Sequence, residues 1–588
     1  MRPIRILLFS STRPSRAWRM AEKISSDVPG GDVCAIVQQT WRQLPGMQRL
    51  IGTGDLDAVD GRGGLRSQAG LWIRKVWKEL LNWGVWCAHG CPRNVHGETM
   101  FTDKELAARC YQSGRPLLQV DDLDGWNTAE FACQQRADLI VVLGQPSLSG
   151  ELLAVPPLGS VRINVRGGTD SDNTTLQDGI ELNVEYFGRG AGIGCSLGSV
   201  SLPSQPYDGL LGITLKSDLI ADDLLLLAVK SLENGSPARA SKEIRKWIQS
   251  TLSPSLDQFI LPPGQSPARR TTSHQRCRSI AKLFAHSLLG IPLMMCRNWY
   301  RRLRGRYPVL ILTHHLVSDR PHSMGIPTEH FWRQMRFLHR HYRIASLSEA
   351  IGLLRSGRVT EPTVALTFDD GYGDNFITLR AVAEETGTAI AIFVATQPID
   401  AHQEFDHDLA AGTRGFFPLS WNQVQAWSSR GVEFGSHTRT HFDCGSSDRA
   451  RLETEIAGSG RDLEVRLGRR CNCFAFPFGQ AENMSPEAIE IAASTYQSLF
   501  SSYGGENLPC DGHVKPHLLR KGFYFDPWEL ELEMQSVFSL AQNIKEKFKQ
   551  ALDRLRPKGL NAQRHADNMD IRPRRHDIAG RVAERNLP

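Results

Sequence analysis

The sequence predicts an α/β protein in two units, an N-terminal open parallel sheet of Rossmann-like type followed by a C-terminal (β/α) barrel. Three observations predict this. Between Thr102 and Gly144 helical and strand patterns alternate, with the last strand reading Asp138-Leu-Ile-Val-Val-Leu-Gly144, as a parallel sheet with helices on its faces requires. A second alternation runs from Tyr307 to about Leu540, roughly the length of one barrel. Within it the apolar run Thr363 to Leu366 closes on Thr367-Phe368-Asp369-Asp370-Gly371-Tyr372. Two carboxylates at a strand end cannot both be stably charged unless a cation or a proton joins them, and the carboxyl ends of barrel strands are where chemistry sits.

The 588 residues exceed what one core organises. With 41% hydrophobic and 22% charged residues and a mean hydropathy of −0.31, the composition is that of an ordinary globular protein, expected to be soluble and of enzyme size. The net charge of +6 forms no evident nucleic-acid stripe, which argues against such a partner. The twelve cysteines are scattered. Their tight pairs, Cys87/Cys91 and Cys471/Cys473, lack the matching second pair of a structural zinc site. The apolar run Ile4–Phe9 is too short for an export signal, so the expected compartment is the cytoplasm.

In chain order, Ile4–Phe9 is a first strand, Ser10 to Ser15 a loop and Ala17–Ser25 a helix. An amphipathic helix is expected near Leu71–Trp86, then helix Thr102–Ser113, strand Pro116–Val120, helix Thr128–Arg136, strand Asp138–Gly144, strand Val161–Arg166 and a helix from Leu210 to Leu232. Residues 236–304 read as a linker, from their turn formers and polar residues, with one helix at Lys242–Thr251. Its end, 276–304, is apolar in the middle and basic at both ends. It reads either as a helix packed on its own domain or as a peripheral membrane contact. The second unit opens with strand Val309–Thr313, His314-His315 and helix Thr328–Tyr342, and a serine N-cap starts the next helix near Ser346. Residues 546–588 have the composition of a disordered basic tail. The expected boundaries are therefore 1–235, 236–304, 305–545 and 546–588.

The first unit resembles the formyltransferase family, through Asp138-Leu-Ile-Val-Val-Leu-Gly144, Leu158-Gly159, Ile163-Asn164-Val165, Val200-Ser-Leu-Pro203 and the helix from Leu210. That family's catalysis needs an Asn, a His two residues on and a later Asp. Asn164 is present, but Arg166 holds the His place and Gly192 the Asp place. The resemblance therefore implies a formyltransferase-like fold without that catalysis.

In the second unit, Glu433-Phe-Gly-Ser-His437-Thr-Arg-Thr-His441 places two histidines four apart, which on a helical turn would face one ion. Taken alone this spacing is most often a pair without metal. Together with Thr367–Tyr372 and Phe474-Ala-Phe-Pro-Phe-Gly479, it makes residues 305–540 resemble the polysaccharide deacetylase, or chitooligosaccharide deacetylase (NodB-homology), family. Further matches are Leu419-Ser-Trp-Asn-Gln423, Tyr503-Gly-Gly505 and Leu518-Leu-Arg520.

The resemblance implies a divalent metal, most often zinc, held by Asp370, His437 and His441, with Asp369 as general base. The expected substrate is an N-acetylated amino sugar, oligosaccharide or polysaccharide that loses acetate. Ala475 stands where the family often carries an Arg that orients the base, so that orientation must come from elsewhere. The general acid is not evident; His517 is the candidate carried forward, with His513 and His315 beside it. Tyr372 and Phe478 are candidate substrate contacts, with core packing as the alternative. Two other readings remain: a bifunctional deacetylase and N-formyltransferase, and a non-catalytic sugar-binding module.

Overall fold

The computed structural model describes residues 3–40, 102–153, 155–167, 179–188, 194–205, 207–233, 236–259, 296–502, 505–509, 517–522, 530 and 534. The helix expected near Leu71–Trp86, His513 and the tail 546–588 lie outside them. The N-terminal sheet has seven strands, β1 Ile4–Ser10, β2 Gly31–Gln39, β3 Leu117–Val120, β4 Leu139–Leu143, β5 Ser160–Gly167, β6 Ile180–Phe187 and β7 Cys195–Leu202, in the order β3-β2-β1-β4-β5-β6-β7. The sheet is parallel from β3 to β5, and β6 and β7 add antiparallel to its edge. Burial follows this division. Every residue of β4 is buried, as a central strand covered on both faces must be, while β6 alternates buried and half-buried positions. The sheet is open as expected, and mixed rather than wholly parallel. The helix expected from Thr102 runs over Asp103–Ser113; the Thr102 side chain caps it and Gly114 ends it at φ 69°.

Part of the expected linker is folded. Residues Pro237–Trp247 form a helix that buries Ala240, Ser241 and Ile244, and the chain continues in helical turns to Phe259. These turns reach the second unit: Ser255 Oγ donates to Gly373 O at 2.6 Å, and Gln423 Nε2 donates to Thr251 O at 2.7 Å and to Ser255 Oγ at 2.8 Å. Turn-forming composition predicted a linker with one helix, and long-range hydrogen bonds tie this stretch to the second unit. Residues 260–295 of that linker lie outside the described residues.

The C-terminal barrel closes through seven parallel strands: Val309–His314, Thr363–Phe368, Ala391–Val394, Glu433–Ser436, Cys473–Ala475, Ser498–Ser501 and His517–Gly522, the last pairing with the first. Its interior is filled by side chains such as Ile311, Ala365, Phe393, Ala475, Phe500 and Leu518. Such a core is solid, so ligands can be met only at its ends.

The two halves meet across the helix Leu210–Glu233. One face of it packs on β5 and β6, another on the barrel helix Thr378–Thr386. Because the helix is covered on both sides, Lys216, Asp222 and Asp223 are buried and paired. The Arg380 guanidinium meets both oxygens of Asp223 at 2.7 Å, with side-chain exposures of 2% and 3%. Arg430 reaches Asp223 at 2.8 Å, Lys216 reaches Asp319 at 2.9 Å, and Arg13 of the first unit reaches Glu385 of the second at 2.8 Å. Burial would raise the Glu385 carboxyl, but Arg13 and Arg19 outweigh it and hold it down at about 2.

Candidate active site

The Asp369-Asp370 pair leaves the end of strand Thr363–Phe368 with its two carboxylates turned to different partners. Asp369 accepts a bidentate pair of hydrogen bonds from Arg520, Nη1 to Oδ1 at 2.6 Å and Nη2 to Oδ2 at 2.7 Å. Arg520 is itself fixed, its Nε donating to Ser501 O at 3.1 Å and its Nη groups to Thr367 Oγ1 at 3.2 Å and Ser502 Oγ at 3.0 Å. Thr313 Oγ1 adds a contact to Asp369 at 3.3 Å. Burial works to raise the Asp369 carboxyl, and the Arg520 charge overcomes it, leaving the group below the ordinary range. Arg520 is thus the orienting donor that Ala475 cannot supply. The string Leu518-Leu-Arg520 stands in the sequence, but nothing local shows that it closes the barrel beside Thr367.

Asp370 lies with His437 and His441, and one ligand atom from each falls within 4.8 Å of the others. His441 Nε2 is 3.2 Å and His437 Nε2 3.5 Å from Asp370 Oδ1. Neither Asp370 oxygen accepts a well-formed hydrogen bond, although the residue is buried. A buried carboxylate left this way is costly unless a cation completes it. Burial would raise its pKa, but the neighbouring imidazoles, His441 foremost, hold it well below the usual value. His437 Nδ1 donates to Ala475 O at 2.8 Å, which leaves Nε2 for an ion, the usual arrangement of a ligating histidine. Burial pushes the His437 imidazole down to about 4, so it is neutral near neutral pH, as a ligand must be. The donor set, two imidazoles and one carboxylate, fits a divalent ion of the zinc type with coordination positions to spare.

The two histidines do not lie on a helical turn. Strand Glu433–Ser436 ends one residue before His437, and residues 437–441 form a loop with Thr438 at φ 64° and His441 at φ 60°. Side chains from the following helix, Arg449–Leu467, shape this loop. Glu455 accepts from the backbone N–H groups of Arg439 at 3.0 Å and Thr440 at 2.9 Å and from Thr440 Oγ1 at 3.0 Å. Asp370 and Phe478 are also left-handed, at φ 68° and 60°. Backbone held in such sparsely populated conformations concentrates at functional sites. Replacing Glu455 by Ala removes the clamp on the His437–His441 loop and should weaken metal affinity roughly 10–100-fold, measured by competition with a chelating dye.

Of the remaining candidates, Phe478 is 51% exposed with its ring 4.8 Å from that of His441, at the mouth of the cluster. Tyr372 is fully buried: its hydroxyl donates to Asp408 Oδ2 at 2.7 Å and accepts from His407 Nε2 at 2.9 Å. It holds the site from behind and offers no face to a substrate, so the packing alternative applies to it. His517 is not brought to the site. It opens strand His517–Gly522, three residues before Arg520 and on the opposite face by strand alternation, with Phe476 as its ring neighbour. His315 directly follows the strand Val309–His314, which pairs with the strand leading to Asp369, and it is a minor electrostatic influence on both Asp369 and Asp370. Sequence reasoning missed His407, whose Nε2 is 3.8 Å from Asp370 Oδ2 and whose ring lies 4.7 Å from that of His441. Its segment, Asp406–Ala410, carries no motif that could have announced it.

In the first unit Asn164 Nδ2 donates to Glu185 Oε1 at 2.9 Å, and Arg162 Nε donates to Glu185 Oε2 at 2.8 Å. A carboxylate therefore does stand beside Asn164. Asn164 and Arg162 outweigh burial and hold it below the usual range, which keeps it an ionised acceptor. The Gly192 position lies outside the described residues.

Residues 356–496 match the sequence profile of the family described as polysaccharide deacetylase. The protein YxkH of Bacillus subtilis (strain 168), whose name assigns it provisionally to the polysaccharide deacetylases, is 24% identical over 182 residues, 31% of this chain and 60% of that protein. A gellan lyase from Bacillus sp is 30% identical over 174 residues, which cover 29% of this chain and 6% of the lyase. The chain thus spans less than two thirds of either relative. Among solved structures, the Streptococcus pyogenes deacetylase PplD in complex with acetate is 18% identical, covering 39% of this chain and 98% of its own, at a TM-score of 0.33. A phosphoribosylglycinamide formyltransferase from Bacillus halodurans is 12% identical, covering 41% and 96%, at 0.22. The resemblance to the polysaccharide deacetylase family is thus carried by the profile match over residues 356–496.

Proposed function

We propose that the barrel hydrolyses the acetamide of an N-acetylated amino sugar, alone or in an oligo- or polysaccharide, to a free amine and acetate. The observation that carries this reading is the division of labour within the aspartate pair: Asp370, unsatisfied, faces two imidazole nitrogens, while Asp369 is clamped by Arg520. A divalent ion, zinc by its donor set, would be held by Asp370, His437 and His441 and would supply an acidified water and a polarised carbonyl.

Asp369, kept ionised by Arg520, takes the proton of the attacking water. The backbone N–H of Tyr372, which has no acceptor among the described residues, suits the oxyanion that forms. His315, not His517, returns a proton to the leaving amine, and Phe478 offers an exposed ring to the sugar. Acetate release from a panel of N-acetyl sugars, with metal content measured in parallel, tests the proposal. Metal-loaded protein that releases no acetate from any of them would leave the fold standing and remove the function.

Arg520→Met leaves burial unopposed at Asp369. The acid limb of kcat/KM should then move up by roughly 1–3 pH units, with the pH–rate profile as the readout. The direction follows from the base: a raised pKa requires higher pH for ionisation.

A second reading, formylation of an amine by the first unit, is favoured by one observation, the Glu185 carboxylate at Asn164. Its commitment to Arg162 weighs against a role in moving protons. Incubation with a formyl-folate donor and the deacetylated sugar tests it, and no formyl transfer would end it.

A further inference from the structure

The helix over residues 296–304, which leads into the barrel, is turned inside out. Its apolar positions Cys296, Trp299, Tyr300 and Leu303 fall at i, i+3, i+4 and i+7, the spacing of a helix face that seeks a core. All four are exposed instead, Trp299 and Leu303 at 65% and Tyr300 at 55%. The opposite face, which meets the protein, is polar. Asn298 is buried, Arg301 pairs with Glu506, and Arg297 approaches Glu506 at 3.6 Å. Ordinary packing would reverse these faces.

The sequence flanking this stripe is one-sided in charge. Between Asp257 and Asp319 the sequence has no acidic residue and ten lysines and arginines, so the rest of the chain carries a net charge of −4 against the whole chain's +6. On the helix itself Arg302 and Arg304 are exposed beside the apolar stripe, Arg306 is exposed just beyond it, and Arg304 lies over the Tyr300 ring at 5.3 Å. No helix among the described residues is long and apolar enough to cross a membrane.

We propose that this face docks on a lipid surface bearing anionic headgroups, with the Trp299, Tyr300 and Leu303 side chains entering the interface and the flanking arginines meeting the headgroup charge. A Trp/Tyr/Leu stripe bordered by arginines matches both components of such binding, apolar burial and attraction to anionic lipid. A folded protein partner for the stripe would be expected to supply acidic groups at fixed places, and nothing on the helix face selects such a pattern. The helix sits at the opposite end of the barrel from the catalytic cluster: it packs by Glu506, and the chain after it pairs Tyr307 with Val359 and Val309 with Asn507, ahead of the strand whose other end leads into Asp369. Docking would therefore hold the protein at a membrane with its site directed away, and it stands whether or not the deacetylase reading is right.

The test is co-sedimentation of the full chain with vesicles of phosphatidylcholine alone or with about one third phosphatidylglycerol. The chain should sediment with the anionic vesicles and release as salt is raised. Trp299→Ser with Leu303→Ser should lower binding to them by roughly tenfold or more. Arg302→Ser with Arg304→Ser should remove much of the preference for anionic over neutral vesicles. Both pairs should keep the wild-type metal content, which shows that the barrel is intact. Wild-type protein that stays in the supernatant, or variants that bind as wild type does, would overturn the proposal. So would light scattering that finds a dimer which Trp299→Ser dissociates, because the stripe would then be covered by a second copy.

Discussion

Asp369→Asn is expected to keep its metal and lose its chemistry, with kcat falling roughly 10²–10⁴-fold. The amide preserves shape and still meets Arg520 with its oxygen, but it cannot take a proton. Asp370→Asn, one residue on, should lose both metal and activity, since it removes the charge from the proposed ligand set Asp370–His437–His441. The contrast separates the two aspartates more sharply than either variant alone. Metal content per chain and kcat on an N-acetyl sugar are the measurements. Equal loss of metal in both variants would mean that Asp369 also ligates, and full activity in Asp369→Asn would remove it as the base.

Asp223→Ala should destabilise the whole chain by up to about 3–5 kcal/mol, the cost of taking one partner from a buried ion pair, offset in part because Arg380 Nε keeps Glu384 Oε1 at 2.6 Å. Arg380 is buried and bound through both nitrogens to Asp223, and Arg430 shares the same carboxylate. The loss is a large part of the roughly 5–15 kcal/mol that holds a domain together. Because Asp223 stands on the helix Leu210–Glu233 and Arg380 on a barrel helix, the damage should reach both halves. Urea unfolding followed by fluorescence and by metal release should show both shifted to lower midpoint. Asp223→Leu combined with Arg380→Met should recover most of the loss, because removing both charges ends the desolvation cost. If Asp223→Ala leaves the midpoint unchanged, water reaches the pair and the halves are not joined through it.

Much of the fold was legible because its signals are local. The alternation of strands and helices, the Thr102 and Ser346 caps and the apolar run into Asp369-Asp370 each depend on residues within one or two turns of each other. The helix of residues 237–247 was partly legible, but not its attachment. Gln423 reaches Thr251 and Ser255 across more than 160 positions, and composition carries no trace of that.

The candidate site divides along the same line. By itself the sequence singled out the side chains proposed to bear the chemistry, Asp369, Asp370, His437 and His441, because their types and order sit in short contiguous strings. Only the tertiary structure decided how they are held. Closure of the barrel brings Arg520 to Asp369 from 151 positions away, seats His407 behind His441, turns Tyr372 inward and leaves His517 on the wrong face of its strand. A loop clamped by Glu455, rather than a helical turn, brings His437 and His441 to one point. The reason is physical: a local string sets what a residue can donate or accept, whereas its partner is set by which strands lie side by side, and strand order in a closed barrel is a property of the whole chain.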